Sequence, residues 1–145
     1  MYFEHVNKAN GRAERLEKTV YYLPGRGGQL TTGLGKGLAD RGLSVLGRET
    51  VGQFLKLTFQ QQIDAIKSDL QDKFWHDRAR LVAVSYGAYL FLHAQLSMPP
   101  FPGRILLLSP VLGGAFASSV GIGYIPPRAD KLGQAVEEKQ FPKLK

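Results

Sequence analysis

The sequence predicts an α/β domain with a mostly parallel sheet and helices on both faces, and three observations predict it. Four short apolar runs, at residues 19–23, 43–46, 81–84 and 104–108, are separated by segments of helical periodicity. That alternation builds a parallel sheet with crossover helices. The run Ile105-Leu106-Leu107-Leu108 is apolar without alternation, the pattern of a strand covered on both faces. Finally, the strand at 81–84 passes into a helical pattern with almost no connector, through Ala83-Val84-Ser85-Tyr86-Gly87.

In chain order, residues 2–6 read as a short strand, and Asn10-Gly11 is a strong hairpin signal because both residues tolerate positive φ. A second strand over 13–17 would close an antiparallel hairpin within residues 1–18, with His5 a surface strand residue. The first buried strand, 19–23, is β-branched and aromatic. It ends in Pro24-Gly25-Arg26-Gly27-Gly28, readable as a plain turn or as a loop whose backbone approaches a ligand. Thr31 or Thr32 caps a helix that runs to Asp40 and stops at Gly42, with Leu30, Leu34 and Leu38 on one stripe. Thr58-x-x-Gln61 is a capping box. Behind it Phe59, Ile63, Ile66, Leu70 and Phe74 repeat at 3.6 residues, which predicts a solvated opposite face of Asp64, Lys67, Asp69, Asp72 and Lys73. His76 at that helix's C-terminus fits a dipole-favoured structural role. Residues 87–97 are apolar nearly all round, so that helix is buried.

Residues 111–127 are rich in Gly and Ser, with Phe116, Ile122, Tyr124 and Ile125 interspersed, and close on Pro126-Pro127. This is a candidate lid or substrate wall, Phe116 and Tyr124 being its pocket residues, with disorder as the rival reading. Residues 129–139 read as a last short helix.

Composition narrows the function classes. With 43% hydrophobic and 21% charged residues in 145, the chain is an ordinary globular protein and a single domain. The absence of cysteine excludes disulfides and thiolate metal sites. No apolar run approaches the roughly 20 residues of a membrane span, so no membrane is expected and the cytoplasm is the default compartment. The net charge of +7 is scattered and interleaved with acids, without a basic run or helix face, which argues against nucleic acid. Gly35-Lys36-Gly37 lacks the Ser/Thr of a phosphate-binding P-loop, and Gly25-x-Gly27 is followed by Leu30 where a dinucleotide loop needs glycine. Neither pattern implies a cofactor, and none is expected.

The turn around Ser85 carries the chemistry. Small residues two before and two after a serine, between a strand and a helix, permit a strained turn that lifts the hydroxyl clear of the sheet. The first helix N–H groups then point at whatever sits on it. In these residues, and in the order of elements around them, the chain resembles the α/β-hydrolases of the serine type. The resemblance implies Ser85 as catalytic nucleophile and the backbone N–H of Tyr86 as one oxyanion donor. The loop after the first buried strand implies the second donor, the amide of Arg26 or Gly27. A serine at this place disfavours the family's dehalogenase and epoxide-hydrolase chemistries, and nothing implies a metal.

The resemblance also implies a histidine and an acid that this chain does not supply in the family's order. Ser109, not an acid, follows the strand at 104–108, and no histidine lies beyond His93. His93 stands seven residues along the helix from Tyr86, roughly 10 Å away, whereas a general base must be within about 3 Å of the proton it takes. It reads as a packed or rim histidine. Asp130, Glu137 and Glu138 are acids with no histidine to orient. The chain is thus expected to be C-terminally truncated relative to the family, with residues 104–108 left as an apolar edge inviting self-association. Two functions compete: a serine hydrolase of a small ester, thioester or amide, and a non-catalytic ligand-binding protein using the same pocket. As this chain alone, the hydrolase is expected to be weak or inactive.

Overall fold

The structure, a computed structural model, describes the backbone of residues 3–5 and residues 18–110. The expected second hairpin strand at 13–17, the loop at 111–127 with Phe116 and Tyr124, and the helix at 129–139 lie outside these residues. Five strands form one sheet: β1 (Phe3–His5), β2 (Thr19–Leu23), β3 (Ser44–Gly47), β4 (Arg80–Val84) and β5 (Arg104–Leu108). Their spatial order is β1-β3-β2-β4-β5. β2, β3, β4 and β5 are parallel, and β1 pairs antiparallel with β3, His5 opposite Val45.

This order follows from the chain. From β2 the first crossover, through α1 (Gly33–Asp40), lays β3 on one side. The second, through α2 (Gly52–Lys56) and α3 (Phe59–Asp69), brings β4 back to the other side of β2. The direction of winding therefore reverses between β2 and β4. In open parallel sheets such a switch point opens a crevice at the carboxyl ends of the strands.

One face of the sheet carries α3, its π-helical continuation at Leu70–Phe74, and α4 (Tyr86–Gln95). Tyr21, Leu23, Ile63, Ile66, Leu70, Leu81, Ala83 and Leu90 meet there in the larger core. Every residue of α4 is buried, as its all-round apolar sequence requires. The capping box is present: Thr58 Oγ1 accepts from Gln61 N at 3.1 Å, and Thr58 N donates to Gln61 Oε1 at 2.9 Å. The opposite face has a smaller core of Val20, Tyr22, Leu30, Ala39, Val45 and Val82 under α1.

Three expectations need correction. Of the expected stripe Leu30 is buried and Leu38 packs against the smaller core, but Leu34 is 39% exposed, and α1 meets the sheet through buried Gly35 and Ala39 instead. A Cβ on Gly35 would lie 1.9 Å from Leu30 O, so the small residue sets how closely the helix start can approach. Among the described residues, β5 is not covered on both faces. Ile105 and Leu107 pack on the larger core, but Leu106 is 52% exposed and Leu108 36%, since α1 lies over β2 and β3 and does not reach the edge. Asp69 is not on the solvated face. Seven residues apart, Gln62 and Asp69 share a polar stripe beside the buried one. Gln62 accepts from Tyr86 Oη at 2.8 Å, while Asp69 accepts from Arg48 Nε and Nη2, both at 2.7 Å, and from Tyr21 Oη at 2.6 Å. Burial by itself would lower the Arg48 pKa, but the hydrogen bonds and charge of Asp69, then Tyr21, reverse this and leave it above the ordinary guanidinium value. Among the described residues, no helix is long and apolar enough to cross a membrane.

Candidate functional site

The ends of β2, β4 and β5 stand in register along one sheet edge, with Leu23 opposite Ala83 and Val84 opposite Leu108. Ser85 leaves this edge with φ 48° and ψ −111°, and α4 begins at the next residue. A positive φ in a non-glycine residue costs on the order of 1–3 kcal/mol and persists only where neighbours hold it. Here Ser85 N donates to Leu108 O at 2.9 Å, and Ser85 O accepts from Tyr89 N at 3.1 Å. The serine is half-buried.

The small residues flanking it have identifiable neighbours. Ala83 is fully buried in the sheet. A Cβ on Gly87 would fall 2.3 Å from Leu23 O and 2.6 Å from Pro24 O, so only glycine lets the first turn of α4 lie against the end of β2. Gly25 faces the serine across the switch point: a Cβ there would stand 3.6 Å from Ser85 Cβ. Tyr86 is the first residue of α4, so its N–H belongs to the turn whose amides point out of the helix end rather than to a carbonyl four residues back. Its phenol reaches the other way, to Gln62 on α3.

The loop at 24–30 is held by the turn after β3. Gly27 N donates to Thr50 O at 2.8 Å, Gly28 N donates to Gly25 O at 2.9 Å, and Thr50 N donates to Gly28 O at 3.1 Å. Thr50 Oγ1 donates to Gly25 O, and Glu49 Oε2 accepts from Leu30 N at 2.9 Å. Of the two amides that the sequence offers as oxyanion donors, Arg26 and Gly27, that of Gly27 donates to Thr50 O. Sequence reading missed Thr50 altogether. It is wholly buried yet sits in a connecting turn with no motif, and its role depends on contacts 22 to 26 residues away.

His93 lies deep on α4, 6% exposed, with its ring edge-on to Tyr89 (centroids 4.5 Å) and Phe59 (5.0 Å). His76 precedes β4, at the opposite sheet end from Ser85, since Ala79 N donates to His76 O. His5 is on β1, three strands from β4 in the sheet order. None of the three histidines is brought to Ser85. Ser109 also takes a positive φ, 47°, at the end of β5 on the same edge. The sequence argues against that conformation, because a residue before proline is normally extended.

No protein-family model matches the sequence, and no curated protein matches it. Solved structures do. Mouse alpha/beta hydrolase domain-containing protein 10 is similar at 15% identity and a TM-score of 0.51, over 95% of this chain and 53% of that one. Rv0554 from Mycobacterium tuberculosis is similar at 18% identity and a TM-score of 0.52, over 94% and 53% of the two chains. BpoC, from the same organism, is similar at 19% identity and a TM-score of 0.50, over 94% and 54%. The chain spans about half the length of these proteins. Sheet order, the winding reversal between β2 and β4, and these likenesses together show that this chain has the α/β-hydrolase fold.

Proposed function

We propose that Ser85 is the nucleophile of a serine-hydrolase site acting on a small ester, thioester or amide. The observation that carries this reading is the strained φ of 48° at Ser85, at the switch point of a parallel sheet and directly before a helix N-terminus. In the nucleophile-elbow reading, Ser85 Oγ adds to the acyl carbon as a base takes its proton. The carbonyl oxygen becomes an oxyanion facing the amides of Tyr86 and Arg26. The bond to the leaving group then breaks, the leaving group takes up the proton, and water later releases the acyl group from the serine. With no histidine beside Ser85, the base is supplied by a partner chain or by a longer product. The chain alone retains only the binding and oxyanion contribution, roughly 10³–10⁴-fold over water in a triad enzyme stripped of its triad.

A second reading is favoured by the packing of His93 between Tyr89 and Phe59: a ligand-binding protein that holds an ester or carboxylate at the same amides without turnover. Fluorophosphonate labelling followed by intact mass separates the two. The chain alone should label slowly or not at all, and one adduct, absent from Ser85→Ala, is the expected result once the chain is assembled with its partner or extended beyond Lys145. No adduct on either folded form would overturn the hydrolase reading in favour of binding alone.

The reading extends to assembly. β5 is the last strand of the sheet among the described residues and exposes Leu106 and Leu108. We expect copies to pair along it. Sedimentation should show concentration-dependent association, and a monodisperse monomer at tens of micromolar would count against it.

A further inference from the structure

At the sheet end opposite Ser85, the structure places three arginines around one pocket. Arg80 opens β4 and Arg104 opens β5, and the two are direct cross-strand partners. With Arg78 and Asp77 they line a cavity of about 290 Å³. The juxtaposition is built in by the backbone. Arg104 N donates to Ala79 O at 2.8 Å, and a Cβ on Gly103 would lie 2.2 Å from that same oxygen. Glycine at 103 therefore lets the two strands start side by side, and their first side chains emerge together.

Like charges directly opposite on neighbouring strands are destabilising. Arg80 and Arg104 are both exposed, and among the described residues neither has an ion-pair or hydrogen-bond partner for its side chain. Arg80 and Arg104 thus bring to this pocket, beside Asp77 and Arg78, a pair of guanidinium groups that no described residue neutralises. Its volume is about ten times that of a water molecule, room for a small ligand rather than a single ion. Paired guanidinium forks match the oxygens of a phosphoryl group bidentately.

We propose that this pocket binds a small phosphorylated ligand through Arg80 and Arg104, with Arg78 lining the same wall. Ser85 lies five residues beyond Arg80 along the strand, about 16 Å at the usual rise, so the site is distinct from the serine edge and does not depend on the hydrolase reading. Binding there joins the starts of β4 and β5, the strands whose other ends carry Ser85 and Ser109, and so stabilises the fold when occupied.

The test is calorimetric titration of the full chain with inorganic pyrophosphate at constant ionic strength. One saturable site is expected, weakened at least about tenfold by Arg80→Gln and by Arg104→Gln, the loss of one charge-assisted hydrogen bond or more. Lys36→Gln, on α1 and paired with Asp40, should leave it unchanged. Circular dichroism checks that each variant is folded. Arg104→Lys, which keeps the charge and loses the fork, should fall between wild type and Arg104→Gln, and serves if the glutamine variant does not fold. Absence of saturable binding, or binding that survives both glutamine variants, would overturn the proposal. Malonate binding as tightly as pyrophosphate would overturn the phosphoryl class.

Discussion

Gly87→Ala is expected to destabilise the protein by at least about 3 kcal/mol, an unusually large effect for adding one methyl group. The added Cβ would meet Leu23 O at 2.3 Å and Pro24 O at 2.6 Å. Both obstacles are backbone atoms at the end of a central strand, so neither can rotate away as a side chain could. Either α4 must lift from β2 or the end of β2 must move, and both motions disturb the register at Leu23 and Ala83. Thermal melting should show a fall on the order of 10 °C for a domain of this size. Gly25→Ala is the internal control. Its Cβ would find Ser85 Cβ at 3.6 Å and Val84 O at 3.8 Å, ordinary contacts, so its cost should stay below about 1 kcal/mol. Equal costs for the two substitutions would mean that the junction of β2 with α4 is loose enough to absorb a methyl group.

Asp69→Leu should cost about 3–5 kcal/mol, because it removes the carboxylate that pairs a buried guanidinium. The side chains of Arg48 and Asp69 are 12% and 9% exposed, so water can compensate little. Tyr21, wholly buried, loses its acceptor in the same step. The double variant Arg48→Met/Asp69→Leu should recover most of the loss, since replacing both ions with apolar groups removes the desolvation penalty along with the attraction. Chemical denaturation of the single and double variants gives both numbers. A single variant within 1 kcal/mol of wild type would mean the pair behaves as an exposed one. Because the Arg48 pKa is raised in the folded protein, its contribution is fully present below the unfolded guanidinium pKa and is lost only as pH rises through the higher folded value. That window lies far above neutrality, so Arg48 adds no slope to the stability near pH 7.

Both predictions rest on parts of the molecule that a linear reading grasps unevenly. The serine, the small residues beside it, the strand before and the helix after are contiguous, and short-range sterics dictate what such a stretch can do. Ala83, Ser85 and Gly87 were therefore legible, as were the Thr58 capping box and the burial of α4. Asp69 was misread for the converse reason. Helical periodicity separates buried from solvated faces, but the polar stripe between them is decided by what lies opposite, and Arg48 and Tyr21 come from distant elements. Thr50 and the engagement of the Gly27 amide were invisible for the same reason.

The apolar runs, their spacing and the turn at Ser85 by themselves determined that this chain is a parallel α/β sheet with a serine at a strand-to-helix turn, because strand and helix periods and glycine sterics act over a few residues. Only the tertiary structure decided the rest. It set the reversal of winding between β2 and β4, the loop that Thr50 holds against Ser85, the exposed face of β5, and the meeting of Arg80 with Arg104. Each of these is a contact between residues far apart in the chain, fixed by how the sheet and helices pack as a whole.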